Sequence, residues 1–156
     1  QIILNGRKVN DSMGAYIADA AIKQMIEAGM APKKATVLIL GITFKENCPD
    51  TRNSKVADII HRLREFEIEP VVTDEWADSL VTTQEYDVEL VPFEKVPKAD
   101  CVIVAVGHNQ FRSMSMMQLK KLFKDNLPDE EKVLIDVKSL YRRDELEASN
   151  MRYWRL

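Results

Sequence analysis

The residues best equipped for chemistry crowd into one stretch, "LGITFKENCPDTRNSKVADII", Leu40 to Ile60, where a glycine closes an apolar run and Lys45, Cys48, Asp50 and Arg52 follow it. Three further groups sit just after other apolar runs: Asp74 after "PVVT", Gly107 and His108 after "CVIVAV", and Lys138 after "VLIDV". Lysine offers a phosphate or a sugar hydroxyl a compact point charge, and arginine offers a planar fork that fits a phosphate or carboxylate. The chemistry suggested is therefore capture of an anionic ligand. Nucleophilic catalysis by Cys48 is a weaker reading, because neither a histidine nor a glycine loop lies beside it in "ENCPD". With His61 and His108 as the only histidines, and Cys48 and Cys101 far apart, no metal site is expected.

Two alternating periodicities must position these groups. Met13, Tyr16, Ile17, Ala20, Ala21 and Met25 recur at helical spacing up to Gly29, with Asn10, Asp11 or Ser12 available as a cap. "APKKA" links this long helix to "TVLILGIT", a continuous β-branched run that suits a strand covered on both faces. Val56, Ile59, Ile60, Leu63 and Phe66 mark one face of a second helix, capped by Asn53 or Ser54. "PVVTD", "CVIVAV" and "VLIDV" read as three more strands, and "MRYWRL" as a closing edge strand. Met116, Leu119 and Phe123 give a further helical face. Residues 75–98 read as irregular, with "VELVPF" either a strand or an extended loop.

Strands alternating with helices imply βαβ units with right-handed crossovers. The expected class is α/β: a doubly wound, mostly parallel sheet of Rossmann-like type, preceded by a long helix. Ligands of such sheets bind outside the carboxyl ends of the strands, so Lys45, Arg52, Asp74, His108 and Lys138 are all expected on one rim. None of the five glycines, at 6, 14, 29, 41 and 107, forms a GxGxxG or a P-loop. Any phosphate must then be met by cationic side chains and by the amide-rich loop after Gly41.

Composition narrows the partners. At 156 residues, 46% hydrophobic and 30% charged, the chain has the size and balance of one globular domain. A net charge of −3 argues against nucleic acid or an anionic membrane surface. No apolar run approaches the roughly 20 residues that a bilayer span needs. Two scattered cysteines fit a reducing, cytoplasmic setting. The chain opens on Gln1 rather than methionine, so a piece of a longer protein is expected.

"FKENCPDTRNS" resembles the FKxxxxDxRxS signature that opens the UDP-binding domain of the nucleotide-sugar dehydrogenases, the family of the UDP-glucose and GDP-mannose 6-dehydrogenases. "AVGHNQF" and "LIDVKSLY" resemble two later signatures of that domain, and "GRKVNDSMGAYIADAA" resembles the central helix before it. The DxK form of the late motif leans towards the branch acting on UDP-N-acetylhexosamines. The alternatives are a UDP-glucose or GDP-mannose enzyme, or a binding module of flavodoxin-like topology with no catalysis of its own.

The resemblance implies a division at about residue 31: residues 1–31 as the end of a linking, dimer-forming helix, and 32–156 as the UDP-sugar-binding domain. It implies that Lys45 contacts the nucleotide sugar with Phe44 packed beside it, and that Lys138 holds the sugar or its developing carboxylate. Arg52 would reach the NAD carried by another domain, and Asp50 would orient Arg52 or close the turn. The family reaction is a two-step oxidation of the sugar C6 alcohol to a carboxylate with two NAD, through a cysteine thioester, for polysaccharide synthesis. The nucleophilic cysteine and the NAD-binding domain would lie before Gln1, so no catalytic residue is expected here and the chain alone is expected not to turn over. A homodimer through the first helix is also implied: its apolar face has little reason to precede a self-contained sheet.

Plainer roles stand beside these. Lys45 and Arg52 could be solvated loop charges. Cys101 reads as a core residue and His61 as helix surface or flank. His108 reads as a rim residue serving its loop, with a base as the alternative. Met114, Met116 and Met117 read as core and flank of a helix. Asp74 is equally a ribose ligand or a structural carboxylate.

Overall fold

The structure, a computed structural model, describes residues 2–156, with side chains from Met13 onward. Its elements run in chain order α1 (Ile2–Glu27), β1 (Val37–Leu40), α2 (Val56–Glu65), β2 (Val71–Thr73), α3 (Ser79–Tyr86), β3 (Cys101–Val104), α4 (Asn109–Arg112), α5 (Met116–Lys120), β4 (Val133–Asp136), α6 (Arg143–Ala148) and β5 (Arg152–Arg155). The sheet has the order β2-β1-β3-β4-β5, and every neighbouring pair is parallel. The doubly wound α/β expectation holds, with no antiparallel strand in this sheet.

The continuous apolar runs are explained by two covered faces. Val37, Ile39, Cys101, Ile103, Val133 and Ile135 point into a core shared with Ile17, Ala21 and Met25 of α1 and Ile59, Ile60 and Leu63 of α2. The alternate residues, Leu38, Leu40, Val102, Val104 and Leu134, meet Phe111, Leu119, Phe123, Tyr141 and Leu146 on the other face. Each fully buried aliphatic side chain contributes on the order of 2 kcal/mol, so this two-sided burial is the main source of stability. Burial also pushes the Cys101 thiol up, which leaves it an inert core residue.

Several expectations are corrected. α1 does not begin at Asn10, Asp11 or Ser12; its helical backbone runs through them from Ile2. Its apolar face is largely covered: Ile17, Ala21 and Met25 are buried within this chain, as are Ala18 and Ile22, while Tyr16 is exposed. Gly14 permits the close crossing, since a Cβ there would lie 2.4 Å from Cβ of Asp58 in α2. The buried part of this face thus packs against the sheet and α2 of its own chain. α2 is capped at Lys55 with no side-chain bond, although the Ser54 hydroxyl accepts the Val56 N–H at 3.2 Å. Phe66 lies beyond α2 and is 42% exposed, with the Arg62 guanidinium 5.0 Å from its ring centre.

The stretch 75–98 holds α3, capped by Asp78, whose carboxylate accepts the Val81 N–H at 3.0 Å. Periodicity hid it because Thr82 is its one buried residue. "VELVPF" forms no strand, only a bridge between Leu90 and Val72 followed by a 3-10 turn at Phe93–Lys95. β1 is shorter than "TVLILGIT": the backbone turns at Gly41, where φ is +97° and a Cβ would lie 2.6 Å from that of Val106. The "MRYWRL" run is the edge strand β5, paired in parallel with β4. Met114 and Met116 flank the second core, whereas Met117 is 70% exposed.

Candidate functional site

Because all five strands run the same way, the segments after β1, β2, β3 and β4 emerge at one rim. Lys45 and Phe44 follow β1 and are exposed, Phe44 at 55%. Lys138 follows β4 and is also exposed. Between them, β3 leads into Gly107 and His108, both buried. The rim thus offers exposed ligand-type groups on a buried base.

That base is a polar knot tying three segments together. Nε2 of His108 lies 3.0 Å from Oδ2 of Asp74 and 3.2 Å from Oγ1 of Thr43, and both the His108 and Asp74 side chains are fully buried. Nδ1 of His108 accepts the backbone N–H of Asn47 at 2.9 Å. An acceptor at Nδ1 places the ring proton on Nε2, which donates to Asp74. The Thr43 hydroxyl donates to the Lys45 carbonyl at 3.0 Å, leaving its oxygen free to face Nε2. Trp76 stacks on the imidazole at a centroid distance of 6.0 Å, with Phe111 at 5.7 Å. His108 is therefore the rim residue serving its loop; both ring nitrogens are engaged and neither is free to act as a base.

Asp74 is equally saturated. Its Oδ2 accepts N–H bonds from Ile42 (2.7 Å) and Thr43 (3.2 Å), and its Oδ1 from Trp76 (2.8 Å) and Ala77 (3.1 Å). Burial alone would raise its pKa, but the bonds from His108 and from the Ile42 and Trp76 amides outweigh it and hold the carboxyl below the usual range. A carboxylate used in this way has no free face for a ribose.

The loop after Gly41 also differs from expectation. Its amides at Ile42, Thr43, Phe44 and Asn47 are all donated inside the protein, that of Phe44 to the Asp50 carbonyl at 2.6 Å. The amides of Lys45 and Glu46 have no such internal acceptor among the described residues, so they remain beside the exposed side chains to meet an anion. Gly41 offers no cradle, since its open side faces Val106. Among the described residues, the loop after Gly41 thus forms no glycine-rich cradle of the dinucleotide type.

Asp50 does both things asked of it. Its carboxylate accepts the Arg52 backbone N–H at 2.9 Å, closing the turn, and pairs with the guanidinium at 3.0 and 3.1 Å, orienting it. The hydrogen bonds from Arg52 hold the Asp50 carboxyl below its ordinary value and raise that of Arg52. Both lie at the surface, where Arg52 is 78% exposed, so this pair contributes little stability. Behind it, the Tyr86 hydroxyl of α3 donates to the Thr51 carbonyl, and the Thr51 hydroxyl to Glu85 at 3.3 Å.

On the β4 side, Asp136 is buried and accepts the N–H groups of Leu140 (2.9 Å) and Tyr141 (3.0 Å). Here burial prevails over those bonds and over the Arg155 charge, so the carboxyl sits above its usual range. Ser139, at φ +53°, donates its hydroxyl to the Leu156 carbonyl at 3.1 Å, fixing the turn beside Lys138. Cys48 is half-buried in the β1 loop and His61 is exposed on α2, away from the rim. Among the described residues no group of three or more His, Cys, Asp or Glu could hold a metal, and no helix is long and apolar enough to cross a membrane.

Sequence reasoning missed Thr43, Asn47, Trp76 and Asn109. Only Asn47 carried a signal, being a residue type that tolerates the positive φ (+54°) it adopts.

The profile of the UDP-glucose/GDP-mannose dehydrogenase family, UDP binding domain, matches residues 38–143. The chain belongs to this family. It is 41% identical over 125 residues to the UDP-N-acetyl-D-glucosamine 6-dehydrogenase of Salmonella typhi, covering 80% of this chain and 29% of that protein. The same-named protein of Pseudomonas aeruginosa is 40% identical over 144 residues, 92% of this chain and 33% of its own length. The chain thus spans about a third of these relatives. Among solved structures, the UDP-N-acetyl-mannosamine dehydrogenase Cap5O from Staphylococcus aureus superimposes with a TM-score of 0.66 at 27% identity, over 96% of this chain and 31% of that one. A UDP-D-ManNAc dehydrogenase from Pyrococcus horikoshii shares the fold, with a TM-score of 0.76 at 21% identity over 96% of this chain and 32% of the other. This domain of the family is a UDP-binding domain, and the C-terminal rim described above is its candidate site.

Proposed function

We propose that this chain is the nucleotide-sugar-binding part of a cytoplasmic, NAD-dependent UDP-N-acetylhexosamine 6-dehydrogenase, which oxidises the sugar C6 alcohol to a carboxylate for polysaccharide synthesis. The observation that carries the reading is the presentation of Phe44 and Lys45, exposed on a loop anchored by the amides of Thr43, Phe44 and Asn47, which are bonded inside the fold. Identities near 40% to UDP-N-acetyl-D-glucosamine 6-dehydrogenases favour the hexosamine branch.

Lys45 meets the diphosphate or a sugar hydroxyl as a point charge, and Phe44 packs an apolar face beside the ligand. Lys138, two strands away across β3, balances the sugar end and the carboxylate that develops there. NAD accepts hydride in such a reaction and is held by another part of the protein, since these residues form no cradle for it. Arg52 faces outward to meet it, with Asp50 holding the guanidinium in readiness. A homodimer through α1 would use the face that stays open, where Tyr16 and Ile26 are 57% and 58% exposed. Turnover requires the longer protein.

Calorimetric titration of the chain with UDP, UDP-N-acetylglucosamine, GDP and NAD, repeated on Lys45→Ala, tests this. Uridine nucleotides should bind better than GDP or NAD, and Lys45→Ala should lose about tenfold in affinity with an unchanged Tm. Equal binding of GDP, or unaltered binding by Lys45→Ala, would overturn the assignment.

A further inference from the structure

We propose that Asn47, His108 and Asn109 form a positioning clasp that presets Phe44 and Lys45, so that ligand affinity depends on three residues that need not touch the ligand. The proposal rests on the reading of Lys45 as a ligand contact. Asn47 is fixed to the β3 side through its backbone N–H and both polar atoms of its side chain. Its backbone N–H donates to Nδ1 of His108 at 2.9 Å, its side-chain Nδ2 donates to Oδ1 of Asn109 at 3.1 Å, and its Oδ1 accepts the Asn109 backbone N–H at 3.0 Å. These bonds join positions 61 and 62 residues apart in sequence. They bridge β1 and β3, the adjacent strands at which the sheet order departs from chain order and where open α/β sheets place their ligands.

The anchor behind the clasp does not yield easily. His108 is buried, held at Nε2 by Asp74 and Thr43 and sandwiched near Trp76 and Phe111. On the other side of Lys45, Thr43 is buried, and its hydroxyl holds the Lys45 carbonyl. The three exposed residues Phe44, Glu46 and Lys45 are thus strung between two fixed points. An exposed loop ordered in advance does not lose that freedom when ligand arrives, which is the physical source of preorganised affinity.

The exposed end of the clasp separates positioning from folding. Asn109 is exposed, and its side chain bonds only to Asn47 among the described residues, so its removal bears on the loop far more than on the core. The test uses Asn109→Ala and Asn47→Gly, the glycine keeping the positive φ at that position. Amide hydrogen exchange at Phe44 and Asn47 is measured without ligand, and UDP affinity is measured alone and in a double-mutant cycle with Lys45→Ala. Both variants should exchange faster at these two amides and bind UDP roughly five- to tenfold more weakly, while the Tm stays close to that of the parent chain. In the Lys45→Ala background, Asn109→Ala should cost clearly less than in the parent chain, because one of the two contacts it presets has gone. Unchanged exchange in Asn109→Ala overturns the clasp and leaves Lys45 untouched. An affinity loss that adds in full to that of Lys45→Ala also overturns it, by showing a general structural effect. UDP binding unaltered by Lys45→Ala, with exchange still accelerated in Asn109→Ala, overturns the ligand half alone and locates the failure in the function assigned to Lys45.

Discussion

Asp74 and Asp136 end parallel strands of the same sheet, both buried, and yet their carboxyls shift in opposite directions. Asp74 accepts four backbone N–H bonds and one from His108, and those donors come from the segments after β1, β2 and β3. Asp136 accepts the N–H groups of Leu140 and Tyr141, both from its own turn. The donors outweigh burial at Asp74 and do not at Asp136, and their origin decides what the carboxyl organises. On the β1 side a charge welds three loops into one platform under Lys45. On the β4 side a carboxyl closes one local turn beside Lys138.

The largest expected effect tests that contrast. Asp74→Asn should destabilise the chain by about 3 kcal/mol, because an amide NH2 would face buried donors and the charge-assisted bonds would be lost. Asp136→Asn should cost about 1 kcal/mol, since one N–H at most loses its acceptor. Denaturant unfolding measures both, and equal costs would break the comparison. The pH dependence sharpens it. The lowered pKa of Asp74 gives stability that is present above the unfolded carboxyl value near 3.9 and lost as pH falls through the lower folded value. The raised pKa of Asp136 gives the reverse, a contribution full below about 3.9 and lost as pH rises through its higher folded value. The cost of Asp74→Asn should therefore shrink in acid, and that of Asp136→Asn should grow.

Next in size is Gly41→Ala. A φ of +97° and a Cβ placed 2.6 Å from that of Val106 should cost about 2 kcal/mol in chemical denaturation, through strain and displacement of the β1 loop. A neutral result would show that the platform under Lys45 tolerates movement at its root. Smallest is Lys138→Ala, expected to weaken UDP-N-acetylglucosamine about threefold, less than Lys45→Ala, because a charge held by one turn gives up more freedom on binding. A larger loss from Lys138→Ala than from Lys45→Ala in the same calorimetry would reverse the ranking of the two halves.

These contrasts also mark what was legible. The runs "TVLIL", "CVIVAV" and "VLID" announced buried parallel strands because two covered faces demand apolar residues at every position. α3 was not legible, since a helix that buries Thr82 alone carries no stripe. Phe66 was misread because it continues the α2 spacing at the first residue past the place where the helix ends. The apolar face of α1 was visible, but the surface that covers it was not: α2 and the sheet do so, through residues distant in sequence.

The sequence by itself determined that Lys45, Arg52 and Lys138 share a rim, because parallel strands all end on the same side whatever their order. It also determined that the rim lacks a glycine-rich phosphate cradle, because five scattered glycines cannot form one. Only the tertiary structure decided which polar groups would remain available there. Asp74 and His108 lie 34 residues apart, and Asn47 and His108 lie 61 apart. The strand order β2-β1-β3 makes neighbours of their loops, and burial then forces each polar atom to find a partner inside the protein. Local pattern reports what a residue can donate or accept, whereas its partner is fixed by strands that meet only in the fold.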